Sequence, residues 1–354
     1  MRFLFFVIAL PAIFAFTAMA EGNDNIATFS IVAYDSVARE WGVAVQSRFL
    51  AVGAVVPYAR AGIGAIATQA WGNTLYGPEG LEMLARGLPA DSVLAALLSA
   101  DSNAQNRQAG IVDKAGRAST FTGRLCQSWA GGVTGPGFCV QGNILAGPQV
   151  ADSMVAVFVR SQGSLAQRLI AVLHAGQSAG GDSRGMQSAA LLVVTQAGGY
   201  SGYDDRMIDL RVDDHLQPIE ELERLFKLHQ RTFGAGAYIR IAIASAKQKD
   251  SARAGNAFAR AAEIAEEYHD DPMLYNEIAW EMAINNYRLD QAMELAQKAM
   301  TLAPGDANII DTAAEIYARM GKYKKAAELE KKACALSSNP EFKIKFDVWR
   351  KKSR

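Results

Sequence analysis

The sequence predicts an α+β domain followed by an all-α array, and three observations carry that prediction. Strand patterns, several of them hairpin-linked, open and close the first 226 residues, with helical patterns between them. Glycine and lysine are partitioned. Up to Phe226 there is one lysine, Lys114, against thirteen from Lys227 onward, and only Gly255, Gly305 and Gly321 follow Gly236. The last third carries a helical pattern that recurs at a spacing of 34 residues. A chain of 354 residues has room for two such units, and the composition shift puts their boundary near residues 227–240.

Residues 1–20 have the build of a secretory leader: Arg2, an apolar run over 3–16, and Ala-Met-Ala before Glu21. That run is short for a membrane span, and no later stretch is long and apolar enough to be one. An exported chain, periplasmic or extracellular, is expected. Residues 28–48 then form the most informative stretch. Two apolar-rich runs, 29–34 and 41–46, flank the polar turn 35–40 and predict a β-hairpin. Thr28 opens the first strand, and Ser47 and Arg48 close the second, so a hydroxyl, a second hydroxyl and a cation come to one corner. Residues 52–73 predict two more short strands with close glycine packing, ending in the polar Gln69. Helices are expected over 78–86 and 89–100, each with proline near its start, and a second hairpin over 108–112 and 118–122. Further helices are expected over 143–159 and 164–174, then strands over 189–194 and 209–212. Hairpin links favour a largely antiparallel layered sheet over a doubly wound parallel one.

In the second half, Ala292, Ala299 and Pro304 occupy the small-residue and proline positions of a tetratricopeptide repeat. Ala326 and Ala333 follow 34 residues later, with Tyr317, Gly321 and Tyr323 at the aromatic and turn positions; the matching proline, Pro340, comes two residues late. Residues 238–268 read as a more divergent helical pair, with Phe258 where alanine is expected. Small residues let paired helices approach closely, and stacking buries the shared face. The expected array spans about 236–340, takes a protein or peptide partner, and is followed by a basic end, 350–354, read as a solvated tail.

The formal net charge is zero and half of the residues are hydrophobic, so composition argues for a packed core and against a nucleic-acid partner. Phosphate-cradling, zinc-hydrolase and nucleophile-elbow motifs are absent, and Gly62-x-Gly64 precedes a strand-like run rather than a helix. The four histidines, His174, His215, His229 and His269, are scattered, so no serine–histidine triad emerges and no cofactor is implied. Cys126 and Cys139 stand 13 positions apart. In an exported chain they are disulfide candidates, with two buried free thiols as the equal alternative.

Taken together, TFSIVAYD, WGVAVQSRFLAVGAVVPYARAGIGAIATQAWGN, YGPEGLEML, GFCVQGNILAGP, GGDSRGMQSAALLVV and DLRVDDH resemble the domain of unknown function 1028 family, over roughly residues 27–226. That resemblance implies a four-layer α-β-β-α sandwich of the N-terminal-nucleophile hydrolase-like class, a class whose members often self-associate, so a homo-oligomer is implied as well. It also implies a chemistry in which a first residue's side chain attacks an amide and its own α-amine is the base. Such an amine titrates at about 7.7–8.0, within reach of its own hydroxyl. Thr28 matches the family's opening threonine. Arg60, 32 positions on, stands about where proteasome-type members keep a basic residue. Ser47 and Arg48 match their polar strand end, and Asn143 offers an oxyanion-hole amide. Related chains carry a module read as peptidoglycan-binding where this one has repeats, which makes cell-wall material the expected substrate class.

The leader imposes a condition. Cleavage after Ala20 leaves residues 21–27 ahead of Thr28, so a second cut at Ala27–Thr28 is required before its amine can act as a base. Competing readings stand beside each candidate. Thr28 is also a good strand former, Ser47 and Arg48 can finish a strand, and Arg60 can be a surface ion-pair partner. Gln69, Asp182, Arg184, Asp213 and Asp214, polar and near glycines or strand ends, are ligand-binding candidates. Asp182 and Arg184 read equally as a turn with its own salt bridge, and Asp213, Asp214 and His215 as a solvated turn. The alternative to an amidohydrolase is a non-catalytic envelope binding or scaffold protein.

Overall fold

The computed structural model describes residues 28–353; the expected leader and the Ala27–Thr28 bond lie outside the described residues. The first half holds ten strands in two antiparallel sheets. One has six strands, in the order β10-β9-β2-β1-β8-β7: Arg206–Val212, Ser188–Val194, Glu40–Ser47, Thr28–Asp35, Phe138–Asn143 and Gly131–Gly135. The other has four, β3-β4-β5-β6: Pro57–Arg60, Gly64–Gln69, Gln108–Asp113 and Ala118–Thr122. The sheets pack face to face around Val32, Val43, Val45, Ala67, Val112 and Leu192. Helices α1 (Tyr76–Ala85) and α2 (Ala90–Ala100) cover the outer face of the four-stranded sheet. Helices α3 (Pro148–Arg160), α4 (Leu165–Ser178) and α5 (Pro218–His229) cover that of the six-stranded sheet.

Hairpin register explains the opening stretch. With β1 and β2 in register, Thr28 pairs with Ser47 and Asp35 with Glu40. The period of two then sends Phe29, Ile31 and Ala33 to the helices, and Ser30 and Val32 to the other sheet. Both faces are covered, so little polar alternation survives in β1. Gly110 on β5 marks a close approach of the two sheets. A Cβ there would run into the Gln141 side chain and come within 2.7 Å of Cys139 Sγ. Gly110→Ala should therefore destabilise the fold by about 1–3 kcal/mol. Urea unfolding checks this, and a variant of unchanged midpoint would show that the sheets can separate freely.

Two expectations fail here. Residues 143–147 are not helical: Asn143 ends β8 and α3 begins at Pro148. The strands β7 and β8 escape a pattern reading because Gly131, Gly132, Gly135 and Gly142 dilute strand propensity, and β8 is buried on both faces. The basic end expected over 350–354 is solvated over 350–353 as read, but 350–352 finish a helix rather than form a tail. Pro340–Lys352 forms helix α12, with Pro340 in its first turn and Trp349 buried.

Residues 227–240 lie within one unbroken helical run. Helix α5 passes through a π turn, Gln230–Gly234, into α6, Ala235–Lys247. Helices α7 (Ser251–Glu267), α8 (Pro272–Ile284), α9 (Leu289–Leu302), α10 (Ala307–Arg319) and α11 (Tyr323–Leu336) complete three antiparallel pairs. The first helix of each pair also packs on the next pair's first helix, α6 on α8 and α8 on α10, which makes a stacked array. Ala292, Ala299, Ala326 and Ala333 are fully buried at the helix contacts, as the small-residue spacing requires.

Side chains tie the helices to the sheets. Tyr238 Oη donates to Glu40 Oε1 at 3.3 Å, Arg253 donates to Thr195 Oγ1 at 2.8 Å, and Arg39 pairs with Asp250 at 2.7 Å. Glu40 is buried, and its carboxyl is pushed up to about 7 by burial first and by neighbouring Asp35 second.

Candidate active site

The corner predicted from the hairpin exists. Thr28 Oγ1 lies 3.0 Å from Ser47 Oγ, and both residues are fully buried. Thr28 also pairs in register with Asn143 on its other side. Three strand ends therefore meet, with β1 central. Gln69, at the end of β4, reaches across from the other sheet and donates from Nε2 to the Thr28 carbonyl at 3.2 Å.

Behind that corner runs a buried amide network. Gln69 Nε2 also donates to Gln108 Oε1 at 2.7 Å, and Asn143 Nδ2 donates to the same oxygen at 3.0 Å. Gln108 Nε2 donates to the Gly142 carbonyl at 2.8 Å and to Thr122 Oγ1 at 2.9 Å. Ser30 Oγ donates to Gln69 Oε1 at 2.6 Å and accepts from Gln141 Nε2 at 2.7 Å. Such groups are costly to bury unpaired, and here they satisfy one another across the two sheets. Ser30, Gln108 and Gln141 are absent from the sequence candidates. The signal available was Ser30 and Gln141, polar residues inside otherwise apolar strand patterns, and Gln108 at the head of a third.

Strained backbone borders the corner. Ala70 and Trp71, directly after Gln69, and Ile144, directly after Asn143, all have φ near +50°. A β-branched residue in that region is a clear outlier, and such positions gather at functional sites. Trp71 remains 60% exposed beside the buried network.

Arg48, Asp182 and Arg184 form the next layer. The Arg48 amide donates to Asp182 Oδ2 at 3.0 Å, and Arg184 grips both oxygens of Asp182, with Nη2 on Oδ2 at 2.9 Å and Nε on Oδ1 at 3.2 Å. The Arg48 guanidinium donates to the Arg184 carbonyl. Asp182 is thus a buried loop anchor with its local salt bridge. An open cleft of about 840 Å³ begins at Arg48 and is lined by Gln187, Asp214 and His215. Gln187 joins it to the corner, donating from its amide to the Ser47 carbonyl and from Nε2 to Asp214 Oδ1 at 3.0 Å. Asp213 meets the hairpin end through its backbone, its carbonyl accepting from Ala51.

Two candidates are displaced. Arg60 pairs with Glu82 at 2.8 Å on an exposed surface. It sits opposite Gly64, at the far end of β4 from Gln69, about 16 Å away along an extended strand. The antiparallel turn at Gly62 reverses β4, so the strand end nearest Arg60 in sequence is the one remote from Thr28. The disulfide does not form either. Cys126 Sγ donates to the Arg107 carbonyl and Cys139 Sγ to that of Ile111, positions roughly 13 Å apart along the chain bordering and entering β5. Burial pushes the Cys139 thiol up to about 12, which leaves it neutral and unreactive. Among the described residues no group of three or more His, Cys, Asp or Glu side chains is placed to hold a metal ion, and no helix is long and apolar enough to cross a membrane.

Comparison with known proteins agrees with this architecture. The family described as a family of unknown function, DUF1028, matches residues 28–222. The crystal structure of protein SPO2555 from Silicibacter pomeroyi, which carries the same family designation, superposes with a TM-score of 0.53 at 32% identity. The match covers 57% of this chain and 88% of that one. No match is found among the curated proteins.

Proposed function

The chain belongs to the DUF1028 family of unknown function, and on that premise we propose an exported amidohydrolase of the N-terminal-nucleophile type, with Thr28 as its nucleophile. The single observation that carries the reading is the placement of Thr28 Oγ1, the first side chain of the central strand, 3.0 Å from Ser47 Oγ. Cleavage at Ala27–Thr28 frees the amine. That amine takes the Oγ1 proton while Oγ1 attacks the amide carbonyl, and it returns the proton to the departing amine as the tetrahedral adduct collapses. Water, activated by the same amine, then releases the acid from the ester. Ser47 holds the hydroxyl. Asn143 Nδ2 has one hydrogen engaged by Gln108 and a second available to a developing oxyanion. In this reading the two-sheet domain is a four-layer sandwich, and the stacked helices are a tetratricopeptide array that holds a peptide or protein partner.

Intact mass and N-terminal sequencing of the exported protein test this directly. Maturation to Thr28 is expected, together with hydrolysis of simple amides or peptidoglycan peptides. Thr28→Ser should retain that activity and Thr28→Ala should lose it by about a thousandfold or more. A mature chain beginning at Glu21 overturns the reading.

One observation favours a second, non-catalytic reading. The amides at the corner are engaged with one another and Asp182 is saturated, as in a purely structural joint. Under it, the cleft at Arg48, Gln187 and Asp214 binds a ligand in the envelope and the helices recruit a partner.

A further inference from the structure

A groove of about 580 Å³ lies between the π-turn segment and the start of α8. Its apolar wall is Leu228, Met273 and Trp280. Its polar floor carries acceptors without partners. Asn276 is 8% exposed, and its Oδ1 has no hydrogen-bond partner. Glu277 beside it makes no hydrogen bond or ion pair among the described residues; nearby Arg240 pairs with Glu281 through Nη1 at 3.1 Å, and its buried Nε has no hydrogen-bond partner. Burial pushes the Glu277 carboxyl up to about 7; Arg240 opposes that shift and Glu281 adds to it. The remaining charged lining, Arg231 and Asp271, is a neutral pair at 2.7 Å. Gly236 on α6 leaves the space that Glu277 occupies, since a Cβ there would run into Oε1.

The protein shows how it meets the adjoining acidic position. Lys345 of α12 places Nζ 2.7 and 2.8 Å from the two oxygens of Asp311 and 5.0 Å from the centre of the Trp280 ring. Trp280 is the wall shared by this filled ammonium site and the groove. An unpartnered buried carbonyl oxygen and an unpaired carboxyl beside an aromatic ring are the complement of an ammonium group on an alkyl stem.

We propose that this groove binds a lysine-bearing peptide, with Asn276 Oδ1 and Glu277 accepting the ammonium and the lysine stem lying along Trp280. The proposal rests on the helices being a partner-binding array and is independent of catalysis at Thr28.

The test is calorimetric titration of the full mature chain with acetyl-capped heptapeptides that have a central lysine and varied flanks. Matched sets carry acetyl-lysine or glutamate at the centre. Lysine peptides should bind, more weakly as salt rises, and lose about tenfold or more in affinity on acetylation or with Glu277→Gln. That variant is isosteric and should fold. If all three sets bind alike and protect α8 from hydrogen exchange, the array reading stands and the ammonium site is wrong. Preferential binding of the glutamate set also overturns the ammonium site. If no set binds, the ammonium site and the array reading both fall.

Discussion

Gln108→Leu should lower the unfolding free energy by about 4 kcal/mol. Its side chain accepts from Gln69 and Asn143 and donates to Gly142, Thr122 and Gly131. Leucine matches the volume and none of those bonds. Two amide donors, Gln69 Nε2 and Asn143 Nδ2, and the Gly142 carbonyl then lose a buried partner, and each such loss costs about 1–3 kcal/mol. Gln69 retains its bond to the Thr28 carbonyl, which keeps the total below a simple sum. Against a typical stability of about 5–15 kcal/mol, the loss should be plain in a urea titration. A change of about 1 kcal/mol or less would mean that the network is not what joins the two sheets at this corner.

Glu40→Gln should make the protein more stable at pH 8 and leave it nearly unchanged near pH 4.5. The folded carboxyl titrates at about 7, above its ordinary value of 4.5, because it is buried. Below 4.5 it is protonated in both states and its contribution is fully present. As pH rises to about 7, the unfolded chain releases the proton while the folded chain holds it, so stability falls, and it levels off above 7. At about 1.4 kcal/mol per pH unit, the full loss is about 3 kcal/mol. Glutamine keeps the acceptor for Tyr238 and cannot ionise. Glu277 and Glu330 are shifted in the same direction, so the wild-type decline is steeper than Glu40 alone produces, and the difference between the two proteins isolates it. Thermal unfolding at pH 5 and pH 8 checks the prediction. A variant less stable than wild type at pH 8 would show that ionised Glu40 is held favourably by Arg253 and Arg260.

The Glu40 contact also bears on how the two halves are joined. The change in glycine and lysine content falls on residues 227–240, yet the backbone there is helical throughout. Arg39 and Glu40 of the first hairpin and Thr195, directly after β9, meet Asp250, the N-cap of α7, and Tyr238 and Arg253 of the helices. Composition records the different demands of close-packed sheets and solvated helices. It does not report what lies between them.

The sequence alone determined whatever depends on neighbours close along the chain. Alternation and a short polar turn dictate the hairpin, and in-register pairing then places Ser47 opposite Thr28 without further information. Spacing of small residues likewise predicts the buried alanines of the helical pairs, because a helix presents the same face every three or four residues. Tertiary structure decided everything that depends on which distant strands face each other. Ser30, Gln69, Gln108 and Gln141 come from four strands in two sheets, and no local pattern ties a glutamine in one to a serine in another. Arg60 shows the converse: the family resemblance implied a place near the hydroxyl, and the reversal of β4 carried it to the opposite end. The strands around Gly131 and Gly142 were illegible because glycine removes propensity in both, and burial on both faces removes alternation in the second. What makes the Thr28 corner a candidate site is therefore divided. The meeting of Thr28 and Ser47 is local, and the amide lattice that holds them is a product of two sheets packing face to face.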